Sequence, residues 1–383
     1  VSLEKSTCDV VIIGGGPVGL YLAGRLLQNG VDVRVLEKKK QIDLHSKSLG
    51  IHPVSMELFE EAGISEPFLE KGIKIKKGIA IINSDRIGEI LFEECAKPFN
   101  YILALPQFQT ETILQKWVNA LNSDTIIREA NVTNLKQNSE KVTATFQYNG
   151  ENHEIQAAFA AGCDGAKSFV RKQAGISFEG SAYPDTYIMG DFTDNTEFGP
   201  DAAVYLHKEG LIESFPLPGS HRRWVVKTDS YNKNPARNQL EDLVYQRIGH
   251  SLKNQDNSMM SSFGVQHKIA GSLHSGRIFL AGDSAHVVSP IGGQGMNLGW
   301  LTAERLCQVI LQSLKNPGRK GHYASEFTRK SRKAAKITAK RAEVNMWLGR
   351  KHRFPFITKA LVSLIVNTPV SARAAKIFTM RGI

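Results

Sequence analysis

Six residues near the start of the sequence, Gly14-Gly15-Gly16-Pro17-Val18-Gly19, restrict the fold more than any other feature. They follow a β-branched run, Val10 to Ile13, and precede apolar residues at helical spacing, Leu20, Ala23, Leu26 and Leu27. Val31 to Leu36 reads as the next strand, ending in Glu37. Strand, glycine turn, helix and strand make the first half of a Rossmann unit. In such a unit Gly14 permits the tight turn, Gly16 lets the backbone approach a pyrophosphate, and Gly19 allows close helix packing. The helix opened by Pro17 turns its N-terminus toward the phosphate charge. Glu37 is placed to accept both hydroxyls of an adenosine ribose. A glycine turn by itself can be only a turn; the flanking strand, helix and acid select dinucleotide binding.

A chain of 383 residues, 42% hydrophobic, holds more apolar material than one compact core easily uses, so two packed domains are expected. Cofactor-type segments at residues 1–71, 105–178 and 273–318 belong together. Strand-rich segments at 72–104 and 179–272 form a second, substrate domain, and 319–383 is a basic helical C-terminal region. The expected class is α/β: a discontinuous Rossmann-like cofactor domain, an interleaved β-sheet domain and C-terminal helices.

No second glycine turn followed by helix and acid occurs downstream. One nucleotide can therefore be held firmly, and a nicotinamide cofactor, if used, must visit transiently. Cys8, Cys95, Cys163 and Cys307 show no pairing rhythm and no metal-ligand spacing with the histidines, so a reduced, cytoplasmic chain without a metal site is expected. The first apolar stretch is too short for a signal peptide, and the run Ala360 to Val366, interrupted by Ser363, is too short to span a bilayer.

Three further stretches carry the chemistry. Ala161-Gly162-Cys163-Asp164-Gly165 follows a strand and leads into a helix through Arg171. Arg277-Ile278-Phe279-Leu280-Ala281-Gly282-Asp283 is a buried strand that opens onto an acid. Pro290-Ile291-Gly292-Gly293-Gln294-Gly295-Met296-Asn297 continues into a helix, so several backbone N–H groups converge there. An Asp-Gly turn or a loop-capping aspartate is the ordinary reading of each piece alone. In their order and spacing, over about residues 8 to 315, these motifs resemble the class A flavoprotein monooxygenases, the family of para-hydroxybenzoate hydroxylase, phenol hydroxylase and the polyketide hydroxylases.

The resemblance implies a Rossmann-like FAD-binding domain with FAD on Gly14, Gly16, Pro17, Gly19, Glu37, Gln107, Asp164, Asp283, Pro290, Gly293, Gly295, Met296 and Asn297. Asp283 would accept a hydrogen bond from the ribityl chain, and the amides at Gly295 would stabilise negative charge on the reduced ring. Gln107 enters through Pro106-Gln107-Phe108-Gln109-Thr110-Glu111, which resembles the family's P-Q-x-x-T-E stretch. Lys47 stands where the family commonly has arginine, a point charge in place of a planar fork, which bears on flavin or NAD(P)H docking. Thr302 stands where the family tends to carry an acid. No thioredoxin-like extension is expected, which would place the sequence nearer the shorter members.

The same resemblance implies that NADPH or NADH reduces FAD, and that oxygen adds to give a flavin hydroperoxide. Its distal oxygen then passes to an electron-rich carbon of a small aromatic, quinone-like or polyketide substrate. The hard chemistry stays with the cofactor, so no lone catalytic side chain is assigned. Tyr205, His207 and Arg223 lie where substrate should contact, each with a structural alternative, and His286 reads as packing. A dehydrogenase on the same scaffold, an antibiotic-inactivating enzyme of the tetracycline or rifamycin type, and a non-catalytic flavin-binding protein stay open. Oligomeric state is also open.

The net charge of +11 is unevenly spread. From Arg319 onward sixteen Lys and Arg face only Glu326 and Glu343, so the body before it is slightly acidic. Solvated helix faces explain the tail most simply. Phe354-Pro355-Phe356-Ile357 and Ala360-Leu361-Val362, flanked by Arg350, Lys351 and Lys359, read alternatively as a peripheral contact with the inner membrane surface. Nucleic-acid binding is not expected without a recognised module.

Overall fold

The computed structural model describes residues 6–44, 48–82, 85–95, 97–350, 363–364, 368 and 370–383. Its centre is β1 (Thr7–Ile13), whose last four residues are buried. Such a run needs neighbours on both edges and cover on both faces. It lies between two parallel partners, β2 (Val33–Glu37) and β11 (Glu151–Gly162), with Val10 opposite both Val33 and Phe159. The parallel order continues through β8 (Ile126–Arg128) beside β2 and β18 (Ile278–Leu280) beside β11, with β17 (His274–Ser275) at the edge. The N-terminal half of β11 pairs antiparallel with β10 (Val142–Tyr148), and β10 with β9 (Asn131–Gln137).

Helices cover this sheet by aromatic packing. α1 (Pro17–Gln28) lies against α4 (Gln107–Leu121) and α7 (Gln294–Lys315). Tyr21 of α1 meets Phe59 of α2 (Pro53–Glu61), and Phe59 meets Trp300 edge-on at 4.8 Å and stacks on Phe68 of α3 (Ser65–Lys71). Glu304 of α7 ties the layer down: it accepts from Arg25 Nε at 2.8 Å and from the Tyr21 hydroxyl at 2.8 Å.

Among the described residues the second large sheet runs β19 (His286–Val287), β16 (Asn257–Ala270), β12 (Phe178–Thr193), β15 (His221–Thr228), β14 (Ile212–Leu217), β13 (Ala202–Tyr205), β5 (Lys77–Ile82) and β6 (Asp85–Leu91). One face packs Ile188, Phe192, Trp224 and Val226 against Leu240 and Val244 of α6 (Arg237–Ile248). A small sheet of β3 (Gly50–Ile51), β7 (Ile102–Ala104) and β4 (Ile73–Ile75) adjoins the others. α5 (Phe169–Gln173) follows β11. The architecture is α/β, a Rossmann-like sheet with an interleaved second sheet and C-terminal helices.

α8 (Lys320–Leu348) buries Ala334, Ala335 and Ala339 near Leu298, while Arg329, Lys330, Lys333, Lys336 and Lys340 face solvent. α9 (Val370–Phe378) lies along β6. Among the described residues no helix is long and apolar enough to cross a membrane. The apolar segments at 354–357 and 360–362 lie outside the described residues.

Candidate functional site

A cavity of about 1170 Å³ is lined by both large sheets, the small sheet and α9. A single small-ligand site is usually ~300–1,000 Å³, so this volume has room for more than one small molecule.

The nucleotide side is built from backbone. Gly14 turns at φ +107°, and a Cβ there would overlap the carbonyl of Cys163, so the turn needs glycine and also abuts the end of β11. Gly16 caps α1 with no side-chain hydrogen bond, and no atom lies within 4 Å of where its Cβ would stand. The first-turn amides therefore face open space, which is the geometry of an anion seat at a helix N-terminus. Gly19 does not line the cavity; it fits against the carbonyl of Gly14. Glu37 reaches back across the turn: Oε2 accepts from Gly15 N at 2.6 Å and Oε1 from Lys39 N at 2.8 Å. A carboxylate has about four acceptor sites, so capacity remains for ribose hydroxyls.

Asp164 reaches the cavity wall, each of its oxygens also accepting one local hydrogen bond. Oδ1 accepts from Ser168 Oγ at 2.5 Å and Oδ2 from Val170 N at 3.0 Å, so it secures the start of α5. Asp283 is exposed into the cavity. Gln107 lines it from the start of α4, its Nε2 donating to Glu111 at 2.8 Å. Burial pushes the Glu111 carboxyl up. Pro290, Gly293, Gly295 and Met296 line the wall where α7 begins. Asn297 stands behind it, fully buried: Oδ1 accepts from His52 N at 2.8 Å, and Nδ2 donates to Gly50 and Gly293 carbonyls at 2.9 and 2.8 Å. It clamps the small sheet to the helix start. Lys47 lies outside the described residues.

Two of the three substrate-contact candidates point elsewhere. Tyr205 stacks near Trp224, and its hydroxyl is pushed up to about 12 by burial. Its neighbours Val204 and Leu206 line the cavity instead, because strand alternation sends adjacent residues to opposite faces. His207 sits in the following turn, where Nδ1 accepts from Glu209 N at 3.2 Å. Arg223 does reach the cavity and is fork-paired with Asp191, at 2.6 and 2.8 Å. His286 is packing: it is buried, bonded to Thr302 Oγ1 at 2.8 Å, and burial lowers it to about 4, so it is neutral near pH 7. Thr302 thus serves a neutral histidine, its hydroxyl also donating to the Leu298 carbonyl.

Three residues escaped the sequence reading. His52 lines the cavity, is bonded to the Gly292 carbonyl at 3.0 Å, and burial lowers it to about 4. Arg171 of α5 donates to the carbonyls of Ser284 and Ala166. Glu213 lines the substrate-side wall and is buried. Its only signal in sequence was phase: in Leu211-Ile212-Glu213-Ser214-Phe215 a carboxylate alternates with large apolar residues. Among the described residues no group of three or more His, Cys, Asp or Glu could hold a metal.

An uncapped helix start in front of open space, an acid at the tip of β2 and a glycine-rich start of α7 suit a molecule with a phosphate at one end and a flat polar ring at the other. That defines a dinucleotide-binding flavoprotein fold. The chain belongs to the FAD binding domain family, which matches residues 7–340. It is 35% identical, over 80% of its length, to an uncharacterized aromatic compound monooxygenase of Bacillus subtilis. It is 30% identical, over 76% of its length, to a rifampicin monooxygenase of Streptomyces venezuelae. The chain spans 62% and 61% of those relatives' own lengths. The crystal structure of p-nitrophenol 4-monooxygenase from Pseudomonas putida shares the fold, with TM-score 0.90 and 20% identity, covering 99% of this chain and 100% of that one.

Proposed function

We propose that this chain forms the cofactor- and substrate-binding body of a flavin-dependent monooxygenase that uses NADPH or NADH and O2 to hydroxylate a small aromatic, quinone-like or polyketide substrate. One observation carries the reading: a single cavity joins the phosphate-type helix start of α1 and the glycine-rich start of α7 to a mostly apolar wall of the second sheet. FAD, when bound, supplies the electron transfer and oxygen activation. The names of the relatives support the same class of substrate.

The chain's own residues do the rest. Gly14, Gly16 and the first turn of α1 would seat the pyrophosphate, with Glu37 on the ribose and Asp283 on the ribityl chain. Amides of Gly295 and Met296 at the start of α7 stabilise negative charge on the ring without a side-chain cation. His52 and His286, neutral near pH 7, add no charge there. Met189, Val204, Phe215 and Val225 keep water from the substrate side, and Ile377 and Phe378 of α9 close part of the wall.

Purified protein is tested for a bound FAD spectrum, then for NADPH or NADH oxidation under oxygen with phenols, quinones and polycyclic polyketides. Ligand-stimulated oxidation with a product one oxygen atom heavier is expected. Bound FAD and a dehydrogenated product would replace this reading with a dehydrogenase.

A further inference from the structure

The substrate-side wall is mostly apolar, with Glu213, Arg223 and Gln266 as the polar residues that the second sheet brings to it. Met189, Val204, Leu211, Phe215, Val225 and Phe263 surround Glu213, which reaches the cavity from β14 and is 8% exposed. Among the described residues no hydrogen bond or salt bridge holds its carboxyl group. A charge so placed without a partner is costly, so burial favours the protonated carboxyl and leaves it poised to exchange a proton near neutral pH.

The surrounding charges do not relieve it. Arg223 of β15 shares the face, since Glu213 is paired with Val225 and Arg223 is two residues along the same strand, a diagonal of ~7–8 Å in an antiparallel ladder. Asp191 of β12 already neutralises that guanidinium. Asp185, also on β12, is taken up by Arg350 and Lys227. Tyr187 of β12 is buried, and the nearby Glu213 charge raises it further. The balance leaves Glu213 pushed up to about 7 by burial alone. Arg223 lines the same cavity, but its unpartnered Nη1 is closed off from it, so Glu213 is the group there with protons to exchange.

We propose that Glu213 is a catalytic residue that takes the proton from an ionisable aromatic hydroxyl on the substrate. This rests on the hydroxylase reading for its substrate class. In the step, the substrate O–H bond breaks and a carboxyl O–H bond forms. The electron pair stays on the substrate oxygen, which makes the ring electron-rich, and no redox partner is consumed. General acid–base groups work best with a pKa near the working pH, and the site supplies one where proximity and desolvation coincide.

The test uses FAD-loaded protein, wild type and Glu213→Gln, with a nitrophenol as probe because its visible absorption reports its ionisation. Wild type is expected to bind the probe as the phenolate below the pH at which the free probe ionises, and E213Q to bind it as the neutral phenol. With a hydroxylated substrate, kcat falls about 100-fold in E213Q with KM little changed. The limb near pH 7 in the kcat/KM profile disappears, and Glu213→Asp restores part of both. Equal ionisation of the probe in both proteins, or an unchanged rate and pH profile in E213Q, overturns the proposal. The two readings fail separately. A probe that ionises through Glu213 yet never gains oxygen sinks hydroxylation and leaves the proton acceptor standing; oxygenation at the wild-type rate in E213Q does the reverse.

Discussion

Arg171 and Ser284 are 113 residues apart and joined by a hydrogen bond of 2.8 Å from the guanidinium Nη1 to the main-chain carbonyl. Through it the Asp-Gly turn after β11 is fixed to the acid-bearing turn after β18. Nη2 donates to Ala166 at 2.9 Å, and the guanidinium lies 3.7 Å over the Phe178 ring. Ser284 returns the tie from its own hydroxyl, which donates to the Gly162 carbonyl at 2.5 Å.

Arg171→Ala is therefore expected to cost about 2–4 kcal/mol in denaturant unfolding and to loosen FAD, since two wall segments lose their brace. Arg171→Lys recovers less than half, because a point charge cannot serve two carbonyls and a ring face together. An R171A protein as stable as wild type would show the brace to be idle.

The glycine turn separates fold from ligand. Gly16→Ala meets no atom and has an ordinary φ of −78°, so stability should change by only about 0.5 kcal/mol. Its methyl enters the space in front of the helix start, and FAD affinity, measured by fluorescence titration, should fall at least about tenfold. Gly19→Ala overlaps the Gly14 carbonyl and should cost about 2 kcal/mol or more in stability. FAD binding by G16A at wild-type strength would move the phosphate elsewhere.

Asp191 and Arg223 form a buried fork pair. Asp191→Ala should cost about 3–5 kcal/mol by leaving Arg223 uncompensated, whereas Asp191→Leu with Arg223→Met should recover most of that loss. Thermal or denaturant melts of the three proteins decide it; a double variant no better than D191A would locate the cost in packing rather than charge.

The pH dependence of stability contains two opposing parts. His52 and His286, lowered to about 4, stay neutral in the fold while the unfolded chain takes up protons. Their contribution is whole above about pH 6.5 and is lost as pH falls toward 4. Glu213, raised to about 7, works in the opposite sense: its protonated form suits the fold, so stability is lost as pH rises from about 4.5 to 7. E213Q should thus show a steeper gain between pH 4.5 and 6.5 than wild type. Above pH 7 it should be the more stable protein, by up to about 3 kcal/mol. Parallel stability curves for the two proteins would remove the charge burden assigned to Glu213.

Much of this molecule was legible because local rules and tertiary structure agree. The β-branched run before Gly14, the acid after Leu36 and the glycines before α7 each sit where backbone geometry demands their type. What escaped notice was set by distance in the chain. Asn297 looked like a ligand contact, yet its side chain bonds to Gly50, whose identity as a neighbour no local pattern reveals. Tyr205 and His207 were one strand phase and one turn away from the wall. Glu213 was hidden because an exposed and a cavity-facing glutamate have the same alternation; only the apolar residues that β12, β13 and β15 bring around it distinguish the two.

The position of β11 has a consequence for how the protein is made. β1 leaves the ribosome with one neighbour, β2, close behind, but its other edge waits for residue 162, and the strand beyond that for residue 280. Until then the nascent chain carries an open parallel edge of valine and isoleucine, the kind that sticks to other chains and closes slowly. Because the ring-binding end of the pocket is completed only when α7 emerges, cofactor capture is a late event. Growth with scarce flavin should accordingly show its effect first as loss of soluble protein rather than as an accumulating cofactor-free fold.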